Sequence, residues 1–516
     1  MRFNLKRNIW VFGILVVTLT VRIWLEFFVS IFDVDGLINA YLDLIFRYTI
    51  SFVAIIVFIR IVSKSEYSVS KLPWLLILVI EPLTGLALFL TFGRDFRESF
   101  RYRRHPEIHD GNYLTYEPIT QFGEQEYLDI DSEVTDIYKT AYNMTKHHAY
   151  LYDSNVEVLN TGELFFTRLA EQIKKAEKFI LIQFYIIRTD KTGKMILDLL
   201  KEKAEQGVEV KILYDAIGSV FLNQKYLKTI KSSGVEIREI DPVFFALFNT
   251  KITFRNHRKN VIIDGKVAFT GGMNLADEYQ NKAERKRIPP FRDTQLQITG
   301  KAVNSLTSLF FRDWYYVTND FIKDERYYCS EIVESKGMVQ IIPSGPDFKY
   351  PPIRNTYVKM INNAKKSIKI MTPYLALDRE MVTSLMIAAR GGVNVEIIVP
   401  GVPDKKSVYE VTRSFFEELL EEGIKIYTFS NTFTHAKVFI IDDTIASCGT
   451  YNLDNRSARI NFEVTALLYN VGVSDLVHDF DSDRTNSKEV DLIKWRKRNF
   501  IQRMFEGLVG LMSPIV

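Results

Sequence analysis

The sequence predicts an α/β protein in which N-terminal transmembrane helices precede two pseudo-symmetric α/β halves that share one active site. Three observations carry this reading. Apolar residues concentrate in the first 92 positions, helical and strand-like stretches alternate in the same order twice beyond about residue 150, and one polar motif occurs once per repeat. The expected divisions are a membrane region over 1–105, a linker over 106–150, a first half over 151–330, and a second half over 331–516 that ends in an amphipathic helix.

Three apolar runs open the chain, at about 8–21, 48–59 and 72–92. Only the third approaches the roughly 20 residues a straight span needs, and Glu81-Pro82 interrupts it. The first reaches about residue 31 if Arg22 and Glu26, one turn apart, pair or face protein; the second extends back through Arg47 and Asp43 on the same terms. Arg2, Lys6 and Arg7 put the N-terminus inside, and Arg60, Lys64 and Lys71 put the second loop inside. The arginines at 94, 97, 101, 103 and 104 also ask to be inside, which three full spans cannot satisfy. Two full spans and a third segment that re-enters or lies at the interface resolve the conflict; three plain spans would leave one basic flank outside. The expectation is a multi-pass cell-membrane protein with its catalytic part on the cytoplasmic side. No small-residue cleavage site follows the first run, against a removed signal peptide.

In the first half, "LFFTRLAEQIKKA" has helical spacing and leads to the strand "FILIQFYII"; the helix "MILDLLKEKAEQG" precedes the strand "VEVKILYD". In the second half, "IRNTYVKMINNAKK" leads to "SIKIMTPYL", "MVTSLMIAARGG" precedes "VNVEIIVP", and "VYEVTRSFFEELLEEG" precedes "IKIYTF". Strands alternating with such helices imply mixed or parallel sheets covered by helices.

The shared motif is "NHRKNVIID" (256–264) and "THAKVFIID" (434–442), each a His-x-Lys-x4-Asp. Both continue into a Gly/Asn tail, "GGMN" with Gly271, Gly272 and Asn274, and "GTYN" with Gly449, Thr450 and Asn452. On a strand of period two, His257 and Lys259 share a face, as do His435 and Lys437, which suits an anion. If the halves meet about a pseudo-two-fold axis, one phosphate can lie between two imidazoles. One His then attacks phosphorus while the other protonates the leaving oxygen. Lys259 and Lys437 would neutralise the non-bridging oxygens, and Asn274 and Asn452 would hydrogen-bond them. Asp293 and Glu463 are the acids expected to orient the imidazoles. Asp264 and Asp442 belong to the same motifs and enter the candidate catalytic set, although as residues they read better as structural groups holding the strand and its Lys. No metal and no other cofactor is expected, since no Asp/Glu/His spacing suits a two-metal phosphoesterase.

The paired motifs resemble the phospholipase D superfamily, most closely its bacterial cardiolipin synthase branch. "GVEVKILYDAIGS", "NHRKNVIIDGKVAFTGGMNLADEY", "IPSGPD", "FFEELLEEGIKIY", "NLDNRS" through "NFE", and the final "SPIV" extend the likeness over nearly the whole chain. The resemblance implies a phospholipase D-like fold and catalytic roles for His257, Lys259, Asn274, His435, Lys437 and Asn452. It implies that one His, by family habit His257, carries the phosphatidyl group, and that two phosphatidylglycerols yield cardiolipin and glycerol. Phe291 stands where Trp is frequent, and Thr450 where Ser is usual. The expected partners are membrane phospholipids, with a homo-oligomer left open. A net charge of only +3 gives no general argument for nucleic acid, and Cys329 and Cys448 alone make no disulfide framework. The same catalytic groups would serve a lipid hydrolase that releases phosphatidic acid, or a nuclease; intact motifs argue against an inactive scaffold. "KWRKRNFIQRMFEGLVGLM" reads as basic residues and an apolar-rich helix that either lies on an anionic membrane or packs on the catalytic domain. The paired His147-His148 has no metal partner at useful spacing and is expected at the surface.

Overall fold

The computed structural model describes residues 36–63, 68–92, 132–145, 148–242, 254–280, 290–329, 333–335, 337–348, 350–430 and 432–510. The chain divides into two compact units, one of Met1–His105 with Phe244–Thr253 and one of Pro106–Val243 with Phe254–Val516.

In the first unit, the apolar run expected at 8–21 lies outside the described residues. Helix α1 (Gly36–Val62) contains the second run, extended back as expected, with Arg47 Nε 3.2 Å from Asp43 Oδ2 one turn away. Its segment Asp43–Val62 is the one described helix long and apolar enough to cross a membrane. The third run is two helices, α2 (Ser68–Ile80) and α3 (Pro82–Phe92), separated at Glu81. They fold back on each other. Trp74 and Phe89 meet edge to face at 5.6 Å, whereas one continuous helix would hold them about 22 Å apart. Gly85 makes the approach possible, since a Cβ there would lie 2.8 Å from the Leu78 backbone.

The second unit begins its described part with α4 (Ser132–Met144), inside the stretch expected to be a linker. This polar-looking segment hides a narrow stripe: Ile137 and Ala141, four apart, are fully buried against α9 of the second half (Pro352–Asn363). The first half then runs β1 (Leu151–Leu159), α5 (Gly162–Lys175), β2 (Phe179–Phe184), α6 (Lys191–Glu205), β3 (Glu209–Asp215), α7 (Gln224–Lys231), β4 (Glu236–Ile240), β5 (Asn260–Ile263), β6 (Val267–Gly271), β7 (Phe291–Arg292), β8 (Gln295–Gly300) and α8 (Ala302–Thr318). The second half runs β9 (Met338–Ser344), α9, β10 (Ser367–Met371), α10 (Arg379–Arg390), β11 (Asn394–Pro400), α11 (Lys406–Ser414), α12 (Phe416–Glu421), β12 (Lys425–Phe429), β13 (Phe433–Thr434), β14 (Val438–Ile441), β15 (Ile445–Gly449), α13 (Asn455–Arg459), β16 (Glu463–Tyr469), α14 (Val473–Thr485), β17 (Ser487–Glu489), α15 (Leu492–Arg496) and α16 (Phe500–Gly510).

One sheet contains all but β7 and β13. Its order is β17-β12-β11-β10-β14-β15-β16-β9-β1-β8-β6-β5-β2-β3-β4, which reads the same outward from the β9–β1 seam in both directions, apart from the extra edge strand β17. The repeat seen in the sequence is therefore a pseudo-two-fold repeat of sheet topology. β2-β3-β4 and β10-β11-β12 are parallel, as helix crossovers require, and the seam is antiparallel with Tyr152 opposite Val339.

Both sheet faces are covered. On β2, Phe179 and Leu181 enter a core shared by the two halves, while Ile180, Ile182 and Phe184 enter a core under α5 and α6. The shared core lies under α8, whose Phe310, Phe311 and Trp314 are buried, and under α14. Two local expectations change. "VYEVTRSFFEELLEEG" is two helices, α11 and α12, interrupted at Phe415. His148 is half-buried rather than exposed: its ring nitrogens are shielded from solvent and it lines a small cavity with Tyr150, Ser305 and Ser308, while His147 lies outside the described residues.

Candidate active site

The motif strands begin later than their period suggests. β5 starts at Asn260 and β14 at Val438, so each His-x-Lys is the lead-in to its strand and pairs with the opposite half. His257 N–H donates to Phe462 O (2.9 Å) and Phe462 N–H to Arg255 O (2.9 Å), while His435 N–H donates to Arg292 O (2.6 Å) beside the β7–β13 pair. The expected common face survives this shift. Tyr185 meets the His257 ring edge to face at 4.9 Å and lies 5.4 Å under Lys259 Nζ.

This zipping crosses the catalytic pairs between halves. Glu463 Oε2 accepts from His257 Nδ1 at 3.0 Å, and Asp293 Oδ2 accepts from His435 Nδ1 at 2.5 Å. Each imidazole is thus held by the acid from the other half, with the tautomer that leaves Nε2 its lone pair. Lys259 Nζ donates to His257 O (2.5 Å), and Lys437 Nζ donates to His435 O and lies against the edge of that ring, 2.7 Å from Nδ1 and 3.1 Å from Nε2. The tails explain themselves at the same place. A Cβ on Gly272 would lie 2.1 Å from Asp293 Oδ1, so only glycine admits that carboxylate. The equivalent Thr450 instead donates its hydroxyl to Glu463 Oε2 at 2.5 Å, doing what the usual Ser could do. Phe291 stacks on the His435 ring at 5.4 Å and 28°, an aromatic platform in place of Trp.

Burial governs the charges. It pushes His257 down to about 4, with Glu463 opposing and Lys259 adding, and it pushes His435 down to about 3, reinforced by Lys437. Burial likewise lowers Lys259 to about 7 and Lys437 to about 8. For the acids, burial alone would raise the pKa, but Lys437 and His435 bring Asp293 below its usual range, and His257 with Lys259 does the same for Glu463. The result is two neutral imidazoles on two carboxylates, beside two lysines poised near neutral pH.

A family model described as cardiolipin synthase, PLD-like domain, matches residues 169–284 and 357–484, one segment in each half. A cardiolipin synthase of Geobacillus kaustophilus is 36% identical over 466 residues, covering 89% of this chain and 92% of that protein. One of Alkalihalophilus pseudofirmus is 35% identical over 478 residues, covering 92% and 94%. The chain belongs to the cardiolipin synthase family. The fold of this family member is also that of a crystallised phosphatidylserine synthase of Haemophilus influenzae, with a TM-score of 0.56 at 16% identity, covering 74% of this chain and all of the other.

Not every expected residue of the cardiolipin synthase site joins the cluster. Asn274 Oδ1 accepts from Ile186 N–H (3.0 Å) and its amide donates to Tyr279 OH (2.7 Å), so much of its capacity goes to the scaffold. Asn452 Oδ1 is buried without a hydrogen-bond partner among the described residues. Asp264 and Asp442 hold neither the imidazoles nor their lysines. Each takes φ near +52° and accepts three backbone N–H groups, from 177–179 and from 365–367, at 2.6–2.8 Å. They brace the entries to β2 and β10, the structural part expected of them, but through backbone N–H groups and not through the lysines.

Sequence reasoning missed the support beneath the motif. Arg258, fully buried between the first His and Lys, grips Asp313 of α8 at 2.7 and 2.6 Å and donates to Glu463 O at 3.2 Å. Gln183 and Asn256 complete the shell of Asp313. The available signal was the tripeptide Phe-Arg-Asp, present at 291–293 and again at 311–313.

Proposed function

We propose that this chain is a cardiolipin synthase that moves a phosphatidyl group between two phosphatidylglycerols through a phosphatidyl-histidine. The crossed His–carboxylate pairs carry the reading, because they supply two imidazoles, one from each half, each held through Nδ1 by an acid of the other half. His257 Nε2 attacks the phosphorus of the first lipid. The bond from phosphorus to the head-group glycerol oxygen breaks, and that oxygen takes a proton from His435, releasing glycerol. A hydroxyl of the second phosphatidylglycerol then gives its proton to His435 and attacks phosphorus, breaking the P–N bond and forming cardiolipin.

His435 must be protonated for the first step, and a phosphodiester anion against it opposes the depression caused by burial and Lys437. Lys259 and Lys437 supply positive charge to the non-bridging oxygens, and the Asn452 amide adds a donor. Water in place of the second lipid would give phosphatidic acid through the same groups. The deciding experiment incubates the purified protein in detergent with phosphatidylglycerol alone and quantifies cardiolipin, glycerol and phosphatidic acid. Equal cardiolipin and glycerol is the expected result; phosphatidic acid without cardiolipin would replace the transferase with a hydrolase.

We also propose that the enzyme is a multi-pass protein of the cell membrane with its catalytic unit on the cytoplasmic side. α1 supports one full span; α2 and α3, with 13 and 11 residues, are about 20 and 17 Å long, too short to cross singly, and their fold-back at Glu81 supports a re-entrant hairpin. Single cysteines in the Arg60–Lys71 loop and near Arg97 should both react with a membrane-impermeant maleimide only in inside-out vesicles. Labelling of one site from each side would establish a third full span instead.

A further inference from the structure

Helix α16 is docked with its polar side inward. Glu506 is only 4% exposed and pairs with Arg413 of α11 at 3.1 Å and with Arg498, which is also 3.2 Å from Glu417 of α12. The Arg498 guanidinium lies 3.8 Å over Trp495, which packs on Phe416. A soluble surface helix ordinarily buries its apolar stripe and turns its charges to water. Here the arrangement is reversed.

Phe500, Ile501, Met504 and Phe505 are 78, 72, 50 and 52% exposed, and Ile493 of α15 adds another at 69%. At 3.6 residues per turn the four residues of α16 fill an arc of about 140° opposite Glu506. Scattered apolar residues are ordinary on a surface, whereas a contiguous set on one helix face needs a cover. Two cations next to the set in the chain carry free charge: Lys494 and Lys497 are exposed with no ion pair among the described residues, whereas the exposed Arg496 and Arg503 pair with Glu421 and Glu417.

We propose that this face lies in the surface of an anionic bilayer, with the four aromatic and aliphatic side chains at the acyl boundary and the lysines among lipid phosphates. Charge complementarity selects this occupant. A second copy packed symmetrically through the same patch would set Lys494 and Lys497 against their own kind. Contact of this face with lipid requires no turnover.

The test uses the full chain with Cys329→Ser and Cys448→Ala, carrying Ile501→Cys labelled with an environment-sensitive fluorophore. A Lys488→Cys label on exposed β17 serves as control. Each is reconstituted into nanodiscs of phosphatidylcholine, or of phosphatidylcholine with phosphatidylglycerol, bearing nitroxide on the lipid tails. Expected are a blue shift and quenching at 501, not at 488, in discs with phosphatidylglycerol, and loss of both on Lys494→Glu/Lys497→Glu with an unchanged melting temperature. No quenching at 501 in either disc would overturn the proposal, and a disulfide between two Ile501→Cys chains would then give the face to a second copy. Equal quenching in phosphatidylcholine alone would also overturn it, because the cations would have no role.

Discussion

Replacing Glu463 by Gln should disable His257, and replacing Asp293 by Asn should disable His435, each across the boundary between halves. Glu463 is fully buried and every group around it donates: His257 Nδ1, the Thr450 hydroxyl, the Ser457 hydroxyl at 2.8 Å and the Asn461 amide at 3.3 Å. A Gln of the same shape brings an NH2 that must oppose some of these donors, and it removes the negative charge. Losing one charge-assisted bond of about 1.5–3 kcal/mol corresponds to a loss of about 10- to 150-fold in rate. If the imidazole answers by changing tautomer, its Nε2 lone pair is lost and the deficit approaches about 10⁴-fold. Rapid-quench mass spectrometry of the phosphatidyl-histidine adduct reads this directly. Glu463→Gln should share the adduct profile of His257→Ala, and Asp293→Asn that of His435→Ala. If Glu463→Gln instead behaved like His435→Ala, or formed adduct at the full rate, the crossed pairing would be wrong.

Phosphatidylglycerol should bind more weakly as pH rises, since Lys259 near 7 and then Lys437 near 8 lose the protons that a bound phosphate favours. KM should therefore climb through that window, and a flat KM would remove the lysines from phosphate binding. Asp264→Asn and Asp442→Asn should lower stability by about 1–3 kcal/mol through weakened backbone bonds, while leaving kcat per folded molecule near its original value. Calorimetry with active-site titration separates the two effects, and a large fall in kcat would return these acids to the chemistry. Arg258→Met strands the buried Asp313 carboxylate and should cost about 3–5 kcal/mol, much of it recovered in Arg258→Met/Asp313→Leu. Denaturant melts of both variants test this, and an unaffected single variant would show that the pair contributes nothing.

The sequence by itself determined whatever is local or repeated. Period-two and period-3.6 patterns mark most of the helices and strands, because each element must turn an apolar side toward a core. The duplicated His-x-Lys-x4-Asp with its Gly/Asn tail likewise marks the two equivalent strand entries, at β5 and β14, that the pseudo-two-fold relates. Asp43 and Arg47, one turn apart, were legible as a pair for the same reason. Tertiary structure alone decided which acid serves which imidazole. Glu463 and His257 are 206 residues apart and Asp293 and His435 are 142 apart, and only the pairing of 255–257 with 462 and of β7 with β13 crosses them. It also decided that Asp264 and Asp442 cap backbone. Their side chains can reach three N–H groups only once the chain takes a left-handed turn beside β2 or β10, a geometry set by packing. The same holds for α8 and α4, whose polar residues obscure a stripe that means little until another element buries it. α16 is the opposite case: its apolar pattern was plain, but only the burial of Glu506 showed which side faces out.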